Sequence, residues 1–236
     1  TLAGVIGSGK SSLTGILAHE LGTKAFYEPV DKNPVLPLFY EGNKLVKEGK
    51  ATTNPYAYLL QTYFLNQRFA MIKKAMQDDN NILDRSIYED AIFMKMNTDM
   101  GNATQVEYEI YKSLLNNMME ELPYAAHKKA PDLMILIDVD YNTMIKRIAK
   151  RVREFEQPKE DPSLPNYYKQ LLHYYAEWEK SYNASELLVI DGTKYDFVGN
   201  EQDKTEVLAI IYNKLLELGN ISKAEYDKLM SKTQAA

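Results

Sequence analysis

Short apolar runs alternate with longer mixed stretches along this chain. Each short run is bounded by charged or turn-forming residues, which predicts a buried β-strand. Five strands are predicted in this way, at residues 2–5, 24–27, 81–83, 133–139 and 187–190. The longer stretches predict helices at residues 12–21, 54–77, 89–100, 105–121, 141–153, 164–181 and 204–218, and a weakly held last helix at 223–232.

Strands that alternate with helices predict an α/β fold. We expect a five-stranded parallel sheet with helices on both faces, within a single domain that spans residues 1–236. Two segments interrupt the alternation. Residues 43–53 are rich in Lys, Gly and Thr and predict an inserted surface loop. Residues 155–165 carry three prolines among charges, which predicts a mobile loop between helices.

The composition is that of an ordinary globular domain, and it argues against several functions. With 28 basic and 33 acidic residues the net charge is −5, which gives no general attraction to nucleic acid. No cysteine occurs, which excludes disulfides and thiolate metal sites and fits a cytoplasmic protein. The longest apolar run, residues 133–137, is too short to span a membrane, and no signal peptide precedes the first motif. Too few residues precede Gly4 for a full strand, so we expect the natural chain to start before Thr1.

A glycine-rich segment follows the first predicted strand. Its spacing, Gly-x4-Gly-Lys-Ser, is the Walker A pattern of a phosphate-binding loop (P-loop), here Gly4-Val5-Ile6-Gly7-Ser8-Gly9-Lys10-Ser11. The glycines allow backbone N–H groups to point at phosphate oxygens, and the positive end of the helix that begins near Ser12 adds to the attraction. Lys10 is expected to bind the β- and γ-phosphates of ATP, and Ser11 to bind Mg²⁺. A glycine-rich turn with a chance lysine is the alternative, and the Asn-Lys-x-Asp signature of GTPases is missing.

Charged residues follow two of the predicted strands. Glu28 comes after strand 24–27, and Asp84 and Arg85 come after strand 81–83. Ligands gather at the carboxyl ends of parallel strands, so these residues are expected beside the P-loop. An alcohol that accepts a phosphoryl group needs a carboxylate for its proton and a cation for the transferring charge. Glu28 or Asp84 can fill the first role and Arg85 the second. Asp84 can instead bind Mg²⁺, and a turn cap at Glu28 with an Asp84–Arg85 pair is the structural alternative.

Together these segments resemble the deoxynucleoside kinases, the family of deoxycytidine, deoxyguanosine and deoxyadenosine kinases. Besides the P-loop, the matching pieces are Tyr27-Glu28-Pro29-Val30, Gln61-Thr62-Tyr63 with Arg68, Asp84-Arg85-Ser86-Ile87-Tyr88 with Asp90, and a basic segment ending in Glu156-Gln157. Residues 33–40 and the triplet at 84–86 look most like the bacterial deoxyadenosine/deoxyguanosine kinases. The resemblance implies a P-loop kinase fold with a helical lid at about residues 147–165. It also implies transfer of the γ-phosphate of ATP, with Mg²⁺, to a nucleoside 5′-hydroxyl in nucleotide salvage.

The resemblance implies roles for the residues at the strand ends. Glu28 matches the glutamate that lies against the 5′-hydroxyl. Arg85 matches the arginine of the family's Glu-Arg-Ser triplet, which contacts the same oxygen and the transferring phosphate. Asp84 replaces the glutamate of that triplet, so it stays open whether Glu28 or Asp84 is the base.

Other matching residues concern the nucleoside base. Gln61 and Arg68 are about two helical turns apart and share one helix face. The resemblance implies that Gln61 makes paired hydrogen bonds to the base, while Arg68 and Asp90 form a charged pair at its edge. Thymidine-accepting members have apolar residues at these positions, so the pair indicates a purine deoxynucleoside or deoxycytidine. A solvated helix face is the alternative.

A third group concerns ATP and the sugar. Arg147 and Arg151 are four residues apart on one helix, with Arg153 close behind, and match lid arginines that close over ATP. Glu156 matches a glutamate that bonds the sugar 3′-hydroxyl; an exposed basic helix is the alternative. Tyr40 is the expected second contact to that hydroxyl. Tyr56 is its substitute, because residues 43–53 lengthen the spacing from Tyr40 to Gln61.

Two other functions compete with this interpretation. A nucleoside monophosphate kinase of the thymidylate kinase type also carries Asp-Arg after its third strand, but Glu28 would repel its anionic acceptor. A catalytically inactive partner subunit is expected to have lost chemical groups, yet Lys10, Ser11, Asp84 and Arg85 are all present. The family also implies a homodimer, or a heterodimer with a related kinase subunit, through helices near residues 54–77 and 105–121.

Overall fold

Five short strands run through the part of the chain that the structure describes. This computed structural model describes residues 1–28, 33–78, 80–120, 130–151, 157 and 164–235. All five strands lie where the apolar runs predict them, and they are β1 (Leu2–Ala3), β2 (Lys24–Phe26), β3 (Asn81–Leu83), β4 (Leu133–Asp138) and β5 (Glu186–Asp191).

The strands pair in parallel, as an α/β fold requires. β4 lies between β1 and β5 in one sheet, and β2 pairs with β3 in a second. A single bridge between Leu2 and Asp84 joins the two sheets, and the backbone N–H of Arg85 donates to Leu2 O at 3.0 Å. The predicted single five-stranded sheet is therefore not confirmed. Because β1 is only 2 residues long, it meets the β2–β3 pair at one position.

Helices cover these sheets. They are α1 (Lys10–Leu21), α2 (Leu36–Lys47), α3 (Ala57–Ala75), α4 (Asp90–Asp99), α5 (Gln105–Met119), α6 (Tyr141–Lys150), α7 (Leu164–Ser181), α8 (Glu201–Glu217) and α9 (Lys223–Ala235). A 3₁₀ turn at Ile87–Glu89 leads into α4. No helix among the described residues is long and apolar enough to cross a membrane.

Helix α2 is a correction to the sequence prediction. Residues 43–47 are helical, so only the segment after α2 is a loop. The side chain of Asn33 accepts hydrogen bonds from the N–H groups of Val35 and Leu36 at 2.8 and 3.2 Å, which satisfies free donors at the start of the helix. Asn54, which follows α2 in the chain, also stabilises this helix. Its amide donates to Phe39 O at 2.8 Å and to Asn43 Oδ1 at 2.7 Å.

Two apolar cores hold these elements together. One surrounds β4 and includes residues of β1, β5, α1, α7 and α8, while the other joins α2, α3, α4 and α5. The last helix, α9, extends the first core and pairs Lys232 with Glu20 of α1 at 2.8 Å. The candidate site lies between the two cores, at the carboxyl ends of β1, β2 and β3.

Candidate functional site

A cavity of about 1350 Å³ opens at these strand ends. This volume exceeds the range of about 300–1,000 Å³ that is usual for one small ligand, so the cavity has room for two. Its walls bring together most of the residues singled out in the sequence, including Lys10, Ser11, Ser12, Glu28, Tyr40, Gln61, Arg68, Asp84, Arg85, Asp90 and Arg151. Tyr56, the substitute for Tyr40, is not among the described residues that line it.

The P-loop connects β1 to α1 and requires its glycines. Gly4, Gly7 and Gly9 have φ angles of 140°, 82° and 103°, which side chains rarely allow. A Cβ atom on Gly4 would also lie 2.7 Å from Ile137 O, and one on Gly9 would lie 2.9 Å from the ring of Phe197. Helix α1 begins at Lys10 without a side-chain cap, so its first N–H groups are available to an anion.

Lys10 is buried at the base of this loop. Its Nζ donates to Gly4 O at 2.6 Å and to Val5 O at 2.8 Å. Burial lowers the pKa of Lys10 to about 7, and the nearby Arg85 contributes to the shift. The ammonium group therefore lies where a phosphate charge would stabilise it.

Ser11 and Asp84 provide the oxygen atoms that could hold a metal ion. Ser11 Oγ donates to Asp84 Oδ2 at 2.5 Å, although Ser11 lies in the first turn of α1 and Asp84 follows β3. A hydroxyl and a carboxylate oxygen suit Mg²⁺, which takes its remaining ligands from phosphates and water. Within the described residues no cluster of three or more His, Cys, Asp or Glu side chains could hold a metal by itself. The pair therefore fits Mg²⁺ that arrives with a nucleotide.

Glu28 lies between two arginines. Arg85 Nε donates to its Oε2 at 3.1 Å, and Arg68 Nη2 donates to its Oε1 at 3.0 Å. Burial opposes ionisation of the carboxyl, but Arg85 and Arg68 outweigh it and lower the pKa of Glu28 to about 2. The carboxylate is therefore charged at any physiological pH. Arg85 pairs with Glu28 and not with Asp84, the partner in the structural alternative.

Arg68 also binds the second acidic residue of this wall. Its Nε lies 2.8 and 2.7 Å from the two carboxylate oxygens of Asp90, and both side chains are buried. Burial raises the pKa of Asp90 to about 6 even though Arg68 lowers it, so the pair is ionised near neutral pH. Gln61 lies two turns before Arg68 and is also buried. The alternative of a solvated helix face is wrong.

Glu89 was not predicted as a site residue, although its carboxylate binds three other parts of the site. Its Oε2 accepts hydrogen bonds from Gly4 N at 3.0 Å and from Tyr175 Oη at 2.6 Å, and its Oε1 accepts from Ser86 N at 2.8 Å. Tyr175 Oη in turn accepts from Arg85 Nη1 at 2.9 Å. The signal was present in the sequence, because Ser86-x-x-Glu89 is a capping-box pattern and both of its bonds form.

The basic helix α6 approaches the P-loop from the other side. Arg147 donates to Ser8 O at 2.8 Å and to Gly192 O at 2.7 Å, so it links the P-loop to the turn after β5. Arg151 is exposed at the end of α6 and lines the cavity. Arg153 and Glu156, the other two residues expected in the lid, lie outside the described residues.

The pKa of Glu28 makes a prediction for stability. A carboxyl whose pKa falls from 4.5 to about 2 on folding stabilises the protein above pH 4.5, and this contribution is lost as the pH falls toward 2. We expect Glu28→Gln to lower the free energy of unfolding by up to about 3 kcal/mol near neutral pH. Urea unfolding of both proteins should show this difference shrinking as the pH is lowered to about 3. A difference that is independent of pH would contradict the ion-pair explanation.

Comparisons with known proteins find relatives that match most of this chain. A family model described as deoxynucleoside kinase matches residues 1–217. A deoxyguanosine kinase of Lactobacillus johnsonii is 56% identical over 92% of this chain and 92% of its own length. A deoxyadenosine kinase of Lactobacillus acidophilus is 53% identical over 93% of this chain and 97% of its own. A solved deoxyadenosine kinase of M. mycoides, with dCMP and a flexible dCDP bound, is 30% identical with a TM-score of 0.71 and covers 92% of this chain and 97% of that one.

Proposed function

Since this chain belongs to the deoxynucleoside kinase family, we propose that it phosphorylates the 5′-hydroxyl of deoxyadenosine or deoxyguanosine, with deoxycytidine as a third candidate. It is an ATP-dependent phosphotransferase of nucleotide salvage. The observation that carries the proposed specificity is the buried wall of Gln61, Arg68 and Asp90, in the same cavity as Glu28 and Arg85.

The proposed chemistry assigns each end of the cavity to one substrate. The P-loop and Lys10 bind the phosphates of ATP. Glu28 orients the 5′-hydroxyl and takes its proton as the hydroxyl oxygen bonds to the γ-phosphorus and the bond to the leaving ADP breaks. Arg85 stabilises the charge on the transferring group. Mg²⁺, held by ATP with Ser11 and Asp84, would neutralise part of the phosphate charge.

The base is recognised by polar groups that need partners. An amide such as that of Gln61 can pair with the N6 and N7 atoms of adenine, and a guanidinium such as that of Arg68 with the O6 and N7 atoms of guanine. A site built from buried donors discriminates against bases that leave those donors unpaired. Relatives named deoxyguanosine kinase and deoxyadenosine kinase, and the M. mycoides deoxyadenosine kinase with dCMP bound, support this range of acceptors. We assign the sugar 3′-hydroxyl to Tyr40 and Glu156, and closure over ATP to Arg147, Arg151 and Arg153.

A panel of acceptors tests this function. We expect deoxyadenosine or deoxyguanosine to give the highest kcat/KM with ATP and Mg²⁺, deoxycytidine less and thymidine least. Including dTMP separates the thymidylate kinase alternative, because Glu28 repels an acceptor that already carries phosphate. Turnover of dTMP without turnover of any deoxynucleoside would refute the assignment.

We propose that the working enzyme is a dimer, either of two copies or with a related kinase subunit. Exposed apolar residues occur on two neighbouring helices, at Leu59 of α3 and at Val106 and Ile110 of α5. Val106 and Ile110 are 64% and 53% exposed and lie one turn apart on α5, so both side chains are available to a partner surface. Mass measurement in solution, alone and with a related subunit, decides between the two forms.

We further propose that residues 1–236 form one cytoplasmic domain in which the two sheets act as a single five-stranded sheet. The bridge at Leu2 and Asp84 and the absence of cysteine support this assignment. Residues 147–165 are proposed as the lid.

A further inference from the structure

The two arginines that bind Glu28 belong to different elements of the cavity wall. Arg85 follows β3 beside the P-loop, where phosphate is transferred, and Arg68 belongs to α3 on the proposed base-recognition wall. Their donors occupy different oxygens of one carboxylate, at 3.1 Å for Arg85 and 3.0 Å for Arg68. Glu28 therefore connects recognition of the base with chemistry at the 5′-hydroxyl.

Arg68 makes one contact with a buried partner and another with a partner that faces the cavity. Its Nε is fixed to Asp90, with which it forms a fully buried pair. Its Nη2 is bound to Glu28, whose side chain is 16% exposed and faces the cavity. Because Asp90 holds Nε, an acceptor on a bound base has only the Nη nitrogens to approach, and Nη2 is the one that Glu28 uses.

We propose that Arg68 couples the identity of the base to activation of Glu28. A nucleobase that offers a hydrogen-bond acceptor to Nη2 takes over the N–H that Nη2 donates to Glu28 Oε1. Glu28 is then held by Arg85 alone and accepts the proton of the 5′-hydroxyl. A nucleobase without that acceptor leaves the Arg68–Glu28 pair intact. Glu28 then remains a weaker proton acceptor. This inference rests on the proposed function and assigns Arg68 a positioning role in addition to binding.

Electrostatics supports different roles for Arg68 and Arg85. In a buried site the interaction of a carboxylate with each guanidinium is much stronger than in water, so removing one of two partners has a large effect on basicity. Arg85 cannot be the partner that moves, because Tyr175 accepts from its Nη1 at 2.9 Å and Glu89 lies 3.7 Å from the same nitrogen. Asp90 keeps Arg68 in place while its Nη2 changes partner.

A purely static ion pair makes a different prediction. If Arg68 only binds the base, then a base that lacks the acceptor binds more weakly and KM rises while kcat stays the same. If Arg68 couples recognition to chemistry, the same base is bound and then phosphorylated slowly, so kcat falls. The division of an effect between kcat and KM therefore separates the two.

The first experiment uses the unmodified enzyme. The 3-deaza and 7-deaza analogues of its preferred purine deoxynucleoside each lack one ring acceptor and keep the sugar unchanged. The third analogue is 1-deazadeoxyadenosine if deoxyadenosine is preferred, and 2-aminopurine deoxynucleoside, which lacks the O6 acceptor, if deoxyguanosine is preferred. We expect one analogue to lower the single-turnover rate at saturation by about tenfold or more, with a smaller change in KM. A tenfold change corresponds to about one unit in the pKa of Glu28. If every analogue keeps the parent rate and differs only in KM, the coupling is refuted.

The second experiment removes the coupling. In Arg68→Met/Asp90→Asn no buried charge is left unpaired, and Glu28 is free of Arg68 whichever base is bound. We expect the rates of the parent and of the sensitive analogue to converge to within about twofold. The matched control is Gln61→Ala on the same helix face, which should raise KM but keep the rate ratio between parent and analogue. A ratio that persists in the double variant would overturn the proposal.

These outcomes are distinct from failure of the proposed function. If no deoxynucleoside is phosphorylated at all, the function is wrong. If deoxynucleosides are phosphorylated but the analogues affect only KM, the function stands and the coupling is wrong. The analogue series needs no variant, so it gives an answer even if the double variant does not fold.

Discussion

Replacing Glu28 by glutamine is expected to lower kcat by about 10²–10⁴-fold with a much smaller change in KM. Glutamine has nearly the same shape but cannot take the proton of an alcohol. The site should survive the change, because Arg68 keeps Asp90 and Arg85 keeps Tyr175 as partners. Single-turnover rates at saturating substrate, with circular dichroism as a check on folding, provide the measurement.

Two further variants make this result specific. Glu217→Gln makes the same chemical change at a side chain that is 67% exposed and belongs to α8, so its rate should equal that of the unmodified enzyme. Asp84→Asn tests the other candidate for the base. If Asp84 takes the proton, kcat of Asp84→Asn should fall as far as is expected above for Glu28→Gln, while Glu28→Gln keeps a near-normal kcat. That result would transfer the role of base from Glu28 to Asp84.

The sequence predicted the fold class and the strands because both depend on short-range patterns. The apolar run at residues 133–137 is long enough to predict a buried strand by itself, and a Walker A segment carries its conformation in its glycines. Helix α2 was missed because its N-cap residue, Val35, has no capping side chain, and the helix depends on hydrogen bonds with Asn33 and with the distant Asn54. Such contacts leave no periodic signal.

The site was predicted as a set of residues but not as a set of contacts. Spacing places Gln61 and Arg68 on one face, and strand ends place Glu28 near Arg85. No spacing shows that Arg68 reaches across to Glu28, since the two are 40 residues apart in the chain. Glu89 was missed for a related reason: its pattern predicts a local helix cap, while its bonds to Gly4 and Tyr175 depend on the tertiary structure.

Arg85 is the second residue for which we expect a large effect. It is one of only two non-glycine residues in the described part of the chain with a positive φ angle, 77°. Backbone strain of this kind persists where surrounding contacts hold a residue in place, and it is common at functional sites. Here the side chain binds Glu28, Tyr175 and the ring of Phe93, which it approaches to 5.0 Å.

Arg85→Ala and Arg85→Gly should separate the catalytic role of this side chain from its backbone strain. Both remove the guanidinium, so both should lower kcat by about 10³-fold or more, as expected for an arginine that stabilises transferring phosphate. Only glycine adopts a left-handed backbone without strain. The free energy of unfolding of Arg85→Gly should therefore be about 1 kcal/mol higher than that of Arg85→Ala. Initial rates and urea unfolding of the two variants measure the two effects independently. Equal stabilities would show that position 85 is not strained, whereas a rate near that of the unmodified enzyme in either variant would exclude Arg85 from the transfer step.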